Sequence, residues 1–257
     1  MKSMLTLVGL GLGHPKGLTL ETEEAIMEAD SLFLETYTSP VPEPTIDAIQ
    51  KRTGKRFTLL DRKAVEESNT IFEAAKTGKA VVAVGGDPLM ATTHQELLIR
   101  ARDMGIETRV VHAPSIISAV AGAAGLQHYK FARIVSLPWP KPNFFPTSPY
   151  DNIKANLERG DHTLLLLDTE EVDGRMMTAN DAIDILEGME EQKGNGIIDP
   201  DQLVVVLARV GHDDQLVVSG PIKTLKGKDF GPPLHCLIIP GKLHFMEEEA
   251  MDKLTEH

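Results

Sequence analysis

The chain is poor in several features that would otherwise decide its class. Of its 257 residues one is cysteine, one is tryptophan and three are tyrosine. The single cysteine, Cys236, cannot form a disulfide within the chain, and its place in the apolar stretch LHCLIIP predicts a small buried side chain rather than a reactive thiol. No apolar run approaches the ~18 residues that a membrane-spanning helix needs. These absences exclude an internally disulfide-linked fold and predict a protein without a membrane partner.

Positive charge is also scarce. The chain carries 26 lysine and arginine residues against 38 aspartate and glutamate residues, for a formal net charge of -12. Binding to a phosphate backbone needs clustered basic residues, so we predict no nucleic-acid partner. The N-terminal stretch has one lysine before an apolar run, as a signal peptide would, but the run breaks at Gly9 and no small-residue cleavage site follows. We therefore expect a first strand there and a cytoplasmic protein.

In the first part of the chain, strand and helix patterns alternate, which is typical of a mostly parallel sheet with helices on its faces. The predicted strands are MLTLVGLGL, SLFLETYT, RFTLL, AVVAVGG and ETRVVHAP. The predicted helices are LTLETEEAIMEA, EPTIDAIQKRTG, AVEESNTIFEAAKTG and HQELLIRARDMG.

After Ala113 strands outnumber helices, which favours a separate mixed sheet. The predicted strands are FARIVSLP, HTLLLLD, LVVVLARVG, QLVVSGPI and LHCLIIPG, and the predicted helices SIISAVAGAAG and TANDAIDILEGMEE. The proline-rich WPKPNFFPTSPY predicts a long irregular connection, and MEEEAMDKLTEH predicts a solvated helical tail. The sequence thus predicts a two-domain α/β fold, with domains at residues 1–113 and 114–257 and a ligand cleft between them.

Two glycine-rich stretches follow predicted strands. GLGLG, at residues 9–13, fails the dinucleotide-binding spacing G-x-G-x-x-G because His14 stands where the third glycine belongs. Glu35 lies about where a ribose-binding acid would fall, so a nicotinamide-dependent oxidoreductase remains a less favoured alternative. GGDP, at residues 85–88, could be a turn with glycines at positive φ, or a shelf on which a flat ligand lies with Asp87 as its polar anchor.

Several segments together carry a resemblance that covers essentially the whole chain in order. They are VGLGLG, GGDPLMATTHQELLIRA, HAPSIISAV, FPTSPYDNIKANLERGDHTLLLLD, TANDAIDIL, LVVVLARVG and PPLHCLIIPGKLHFME. The chain resembles the tetrapyrrole-methylase-like (class III) methyltransferases. Within them it is most similar to the branch that methylates the amine of the 3-amino-3-carboxypropyl-histidine of elongation factor 2, to form diphthine. DPLMATTH and IPGKLHFME are specific to this branch.

The resemblance implies a homodimeric enzyme that binds S-adenosylmethionine in the interdomain cleft and releases S-adenosylhomocysteine. Carried over position by position, the expected cofactor contacts are Leu12, Asp87, Met90, Ser115, Ile116, Leu167, Val210 and His235. Leu10 is the alternative to Leu12, because the extra glycine leaves both possible. At Val210 a backbone contact is expected.

Because alignment of the reactants contributes more to methyl transfer than a positioned base does, the chain need not contain a conspicuous base, and we assign no catalytic residue. His94, His112, His235 and His244 have no metal-ligand spacing, so no metal is expected. Asp168 and the acids of TEEVDG, residues 169–174, follow the strand end at Leu167 and are candidates either for the substrate side or for a solvated surface turn. Rival functions are methylation of a porphyrinoid or of ribosomal RNA, and an inactive binding protein.

Overall fold

The computed structural model of the protein describes residues 3–169 and 175–254. They form an α/β structure with one parallel and one mixed five-stranded sheet, which confirms the predicted fold class. The chain divides into two compact units, Met1–Ser118 and Ala119–His257. No helix among the described residues is both long and apolar enough to cross a membrane.

The first unit is a parallel sheet buried on both faces. Its strands are β1 (Met4–Gly9), β2 (Ser31–Glu35), β3 (Thr58–Leu60), β4 (Lys79–Val84) and β5 (Glu107–Val111), in the order β3-β2-β4-β1-β5. Its helices are α1 (Leu20–Glu28), α2 (Glu43–Thr53), α3 (Arg62–Glu66), α4 (Thr70–Thr77), α5 (Gln95–Asp103) and the first residues of α6 (Ile116–Ala123). Successive side chains of β4 alternate between two apolar clusters, with Val82 in one and Val81 in the other. This burial on both faces explains why the inner strands β1, β2 and β4 are mostly apolar along their whole length.

One helix predicted in the first unit is in fact two helices. The stretch AVEESNTIFEAAKTG was expected to form a single helix, but α3 ends at Glu66 and α4 begins at Thr70. Ser68 lies in the break, where its hydroxyl donates to the carbonyl of Ala64. A serine that bonds to nearby main chain competes with helical hydrogen bonding, which accounts for the interruption.

The second unit is a mixed sheet with its own apolar core. Its strands are β6 (Val135–Leu137), β7 (Thr163–Leu167), β8 (Leu203–Ala208), β9 (Leu216–Pro221) and β10 (His235–Ile239), in the order β6-β7-β10-β8-β9. Its further helices are α7 (Ser148–Arg159), α8 (Ala179–Lys193), α9 (Ile222–Leu225) and α10 (Phe245–Leu254). β10 runs antiparallel to both β7 and β8, while β6 and β7 are parallel. Cys236 is buried in β10, and burial raises the pKa of its thiol to about 12, which agrees with an unreactive side chain.

Two expectations for the second unit are corrected. The proline-rich stretch is predicted to be a connection, but its last residues begin α7, with Pro149 in the first turn and Gly160 ending the helix in the left-handed region. Proline is tolerated in a first turn because the amide there has no intrahelical partner. The C-terminal stretch is not merely a solvated tail, because Glu247 of α10 is only 1% exposed. Its carboxylate accepts hydrogen bonds from His162 and from the backbone of Gln127.

Candidate functional site

The loops that follow β1, β4 and β5 leave the first sheet from one edge. The strands are parallel, with Gly9 of β1 opposite Val84 of β4 and Val8 opposite Val111 of β5. In such a sheet the carboxyl ends of the strands are where ligands bind. The structure therefore brings to this edge the predicted contacts of the first unit: Leu12, Asp87, Met90, Ser115 and Ile116.

The two glycine-rich stretches contact each other. The amide of Gly86 donates to the carbonyl of Gly11 at 2.8 Å, and the amide of Gly11 donates to the carbonyl of Gly86 at 3.2 Å. Both residues have a positive φ, +69° at Gly11 and +75° at Gly86. A Cβ on Gly9 would lie 2.5 Å from the Gly86 carbonyl oxygen and 2.6 Å from the Cβ of Ala113. The glycines of GLGLG therefore allow the loops after β1, β4 and β5 to pack closely against one another.

Asp87 joins the loop after β4 to the loop after β5. Its side chain is 6% exposed. One carboxylate oxygen, Oδ2, accepts from Nδ1 of His112 at 2.8 Å and from the amide of Ala113 at 3.2 Å. The other, Oδ1, accepts from the amide of Leu89 at 3.0 Å. Asp87 therefore fixes the path of both loops.

The other predicted contacts of this unit differ in accessibility. Met90 is 49% exposed, Leu12 and Ile116 are half-buried, and Ser115 is buried. Leu10, the alternative to Leu12, is buried in the core cluster of the first unit, so its side chain faces away from solvent. Of the two leucines, Leu12 has the more exposed side chain.

Behind the loop after β4 lies a buried acid–histidine pair that sequence reasoning did not find. Glu35 is completely buried, and its Oε1 accepts hydrogen bonds from the amides of Tyr37 and Thr38. Its Oε2 lies 3.6 Å from Nε2 of His94, whose Nδ1 lies 3.2 Å from the carbonyl of Pro88. Burial, despite the nearby Glu35, lowers the pKa of His94. Because Glu35 is fully buried and bonded to its own loop, it does not supply the ribose-binding acid that favoured a nicotinamide cofactor.

The second sheet brings the remaining predicted contacts to one edge. β7 and β8 both run antiparallel to β10, so the carboxyl ends of β7 and β8 lie beside the amino end of β10. His235 begins β10 opposite Ala208, and the Leu166–Cys236 pair places Leu167 beside it. Val210 follows β8 by two residues, and its side chain is buried.

His235 is held by both of its ring nitrogens. Nδ1 accepts a hydrogen bond from the amide of Ala179 at 3.1 Å, so Nε2 carries the proton and donates to the carbonyl of Pro232, also at 3.1 Å. Burial lowers the pKa of this imidazole, which favours the neutral ring. His235 therefore fixes the start of α8 and the loop before β10, and its ring nitrogens are already engaged.

Arg209 organises the same edge and was missed from the sequence. Its guanidinium donates to the carbonyls of Phe230 at 2.9 Å and Pro232 at 2.6 Å, and it pairs with Asp214 at 2.6 Å. Its backbone amide donates to the carbonyl of Leu234 at 2.9 Å. The residue sits between the strand β8 and Val210, so the loop that carries His235 and the loop that carries Val210 are tied together by one side chain.

Of the predicted substrate side, Asp168 lies within the described residues. Asp168 follows β7, and its backbone amide donates to the carbonyl of Leu137 at 3.1 Å. Glu170 and Glu171 lie outside the described residues. Among residues 3–169 and 175–254, no group of three or more histidine, cysteine, aspartate or glutamate side chains could hold a metal ion.

Comparison with known proteins assigns the family. The family described as Tetrapyrrole (Corrin/Porphyrin) Methylases matches residues 4–226. The chain is 46% identical over 257 residues to a protein of Methanocaldococcus jannaschii named diphthine synthase, covering 99% of this chain and 100% of that protein. A diphthine synthase of Methanothermobacter thermautotrophicus is 44% identical over 98% of this chain and 96% of its own length. A crystal structure of diphthine synthase superposes with a TM-score of 0.87 at 35% identity, covering 98% of this chain and 96% of that one.

The chain belongs to the tetrapyrrole methylase family. The predicted resemblance is confirmed, and so is the prediction that the protein is a methyltransferase. The two relatives described above, which match nearly the whole chain, carry the name diphthine synthase.

Proposed function

We propose that this protein is a diphthine synthase. It transfers methyl groups repeatedly to the amine of the 3-amino-3-carboxypropyl group on a histidine of elongation factor 2, which yields diphthine. The observation that carries this proposal is the 46% identity, over 99% of this chain and 100% of the other, to a protein of that name. The loops at the carboxyl edge of the first sheet support the proposal, because the carboxyl ends of parallel strands are where an α/β fold binds its ligand.

The proposed cofactor is S-adenosylmethionine, which supplies an electrophilic methyl group when bound. Residues at the first sheet edge fit such a group: the loops after β1 and β4 approach within hydrogen-bond distance through glycines, and the thioether of Met90 offers an accessible apolar surface. The proposed contacts are the eight predicted residues, and at Val210 the contact is through the backbone, as the resemblance leads us to expect. His235 is proposed to contact the cofactor with the face of its ring, because both of its ring nitrogens already form hydrogen bonds within the protein.

Alignment is the largest catalytic effect this site would supply. Holding two reactants in the correct geometry can lower a barrier by about 7 to 11 kcal/mol. A positioned proton acceptor typically contributes ~100- to 10,000-fold in rate, or about 3 to 5.5 kcal/mol. The rigid loop connections through Asp87 and Arg209 serve the first effect, because they fix the backbone that would position both substrates.

The decisive experiment is incubation of the protein with isotopically labelled S-adenosylmethionine and elongation factor 2 that bears the unmethylated precursor. Mass analysis of the modified histidine should show successive gains of one methyl group. Ribosomal RNA and a porphyrinoid precursor serve as competing acceptors. Methylation of either of these in place of elongation factor 2 would replace the proposed function by a rival function of the same family.

We also propose that the enzyme is a homodimer and works in the cytoplasm, where elongation factor 2 takes part in translation. The homodimer rests on the resemblance to the family and the location on the proposed substrate. Sedimentation velocity at micromolar concentration should give about twice the 28.1 kDa of the chain. A single species at the monomer mass would contradict the dimer without affecting the proposed reaction.

A further inference from the structure

His112 is the most exposed member of a hydrogen-bonded acid–histidine pair. Its side chain is 70% exposed, whereas that of its partner Asp87 is 6% exposed. Nδ1 of His112 lies 2.8 Å from Oδ2 of Asp87. An ionised carboxylate only accepts hydrogen bonds, so Nδ1 donates, and the neutral ring keeps its lone pair on Nε2. Within residues 3–169 and 175–254 no side chain or backbone group hydrogen-bonds to that Nε2.

The pair is rigidly mounted. The amides of Ala113 and Leu89 hold the two oxygens of Asp87, and neither depends on His112. A carboxylate fixed behind an imidazole, with the opposite ring nitrogen open, is the arrangement by which enzymes orient a general base and stabilise its protonated form. Such a group stands at the edge of the sheet where the cofactor contacts are proposed.

The other histidines of this edge are unsuited to accepting a proton. Nδ1 of His14 accepts the amide of Lys16 at 3.1 Å, so its neutral ring carries the proton on Nε2 and has no lone pair left to offer. Nε2 of His94 is completely enclosed beside Glu35, and the whole side chain is 1% exposed.

Tyr37 is unsuited for a different reason. Burial and the neighbouring Glu35 raise the pKa of its phenol to about 12, so it stays protonated at neutral pH. Glu35 itself is completely buried.

We propose that Nε2 of His112 takes the proton that the substrate amine loses between methyl transfers. This role rests on the proposed function. After a transfer the nitrogen is a methylated ammonium. Its N–H bond breaks, the electron pair stays on nitrogen as the lone pair needed for the next transfer, and the proton binds Nε2. The resulting imidazolium keeps its Nδ1–H on Asp87, whose negative charge stabilises it, and later releases the Nε2 proton to water.

The chemistry makes a specific demand on the products. A monomethyl and a dimethyl ammonium must each lose a proton before they can react again, whereas the trimethyl ammonium has none to lose. Loss of the proton acceptor therefore slows the second and third transfers and leaves partly methylated histidine.

The test compares the wild type with His112→Gln on precursor-bearing elongation factor 2, with the product distribution followed by mass analysis over time. His128→Gln is the matched control, because His128 is also an exposed histidine but lies in the second unit, in the short 3-10 helix His128–Lys130. We expect His112→Gln to lower the second and third transfers by about 100-fold, the lower end of general-base effects. The affinity for S-adenosylhomocysteine, measured by calorimetry, should stay within about twofold of the wild-type value, because the amides that hold Asp87 remain.

Two further measurements separate proton transfer from a structural role. Added imidazole should restore part of the later transfers in His112→Ala and none in His128→Ala. Nitrogen NMR of the wild type should show that the neutral ring of His112 carries its proton on Nδ1. In Asp87→Asn the nitrogen resonances of His112 should change, because the carboxylate that holds this proton is lost.

The outcomes are distinguishable. Wild-type product distribution in His112→Gln, or a fall in rate matched by an equal fall in S-adenosylhomocysteine affinity, would overturn the role of His112 alone. A wild-type enzyme that does not methylate the precursor would overturn the proposed function and this role with it.

Discussion

At the scale of single residues, Asp87 connects stretches of chain that are far apart in sequence. Its partner His112 lies 25 residues further on, and three hydrogen bonds converge on its carboxylate. The sequence offered two roles for GGDP, a turn or a shelf for a ligand. The contacts of Asp87 are compatible with both roles at once. Asp87 shapes the loop, and the loop is proposed to hold the cofactor.

Asp87→Ala should weaken binding of S-adenosylhomocysteine by about 10- to 100-fold. Hydrogen bonds to a charged group contribute about 1.5 to 3 kcal/mol each, and here their loss releases both loops. Calorimetric titration measures the effect, and Asp103→Ala, on the exposed end of α5, is the control. An unchanged affinity would mean that the segment is only a turn.

Gly9→Ala should destabilise the protein by about 1 to 3 kcal/mol, since the added methyl group would meet the Gly86 carbonyl and the Cβ of Ala113 in a packed interior. Gly17→Ala is the matched control, because a Cβ there would meet nothing within 4 Å. Chemical denaturation of both variants gives the comparison. Equal stabilities would show that the three loops do not need to approach as closely as described.

At the scale of elements, α10 is fastened by one acid. Glu247 accepts hydrogen bonds from Nε2 of His162, from the side chain of Lys130 and from the backbone of Gln127 and His244. Burial by itself would raise the pKa of this carboxyl. The hydrogen bond from Lys130 and those from the two backbone amides outweigh it and lower the pKa from 4.5 to about 2.

This shift predicts an acid-dependent stability. A carboxyl whose pKa is lowered by folding contributes stability above its unfolded pKa, and the contribution is lost as the pH falls from about 4.5 towards 2. Glu247→Gln should therefore reduce the free energy of unfolding by about 1 to 3 kcal/mol at pH 6, and the difference from wild type should shrink below pH 4.5. Denaturation across this pH range tests the prediction. Glu248→Gln, an exposed neighbour, should show little difference at any pH, and a Glu247→Gln deficit that did not change with pH would rule out the linkage.

The same helix shows where sequence patterns stop being informative about elements. The strands and most helices were predictable because their apolar spacing reports burial directly. The acid-rich α10 was predictable as a helix but not as a buried one, because the partners of Glu247 at Gln127 and His162 lie far away in sequence. The start of α7 was hidden by prolines, which are compatible with a loop and a first helical turn alike.

The candidate site was predictable to a similar extent. Parallel strands place the loops after β1, β4 and β5 at one edge of the sheet. The particular contacts expected there, Asp87 and Ser115 among them, came from the family resemblance and not from the pattern. The hydrogen bonds of His112 and Arg209 could not be predicted from the sequence. Each depends on the direction of a side chain in a loop, and hydrophobic periodicity carries no information about loop conformation.

At the scale of the whole molecule, ligand binding should raise thermal stability. S-adenosylhomocysteine at 100 times its Kd should stabilise the folded state by about 2.7 kcal/mol and raise Tm by about 5 to 10 °C. NAD at the same concentration is the control and should leave Tm unchanged. A shift with NAD and none with S-adenosylhomocysteine would contradict the proposed cofactor. Scanning calorimetry or dye-based melting provides the measurement.

The order of strands in the second sheet has a consequence for synthesis on the ribosome. β10 lies in the middle of that sheet, between β7 and β8, although it is the last strand along the chain. The strands of the first sheet have all been made once residue 111 is translated, so that unit can close early. The second sheet cannot form completely until residues 235–239 emerge, and until then the edges of β7 and β8 that face β10 are unpaired. Nascent chains halted before β10 would then carry a folded first unit beside a sheet that lacks its centre, and those open edges are the part of the growing chain most in need of a chaperone.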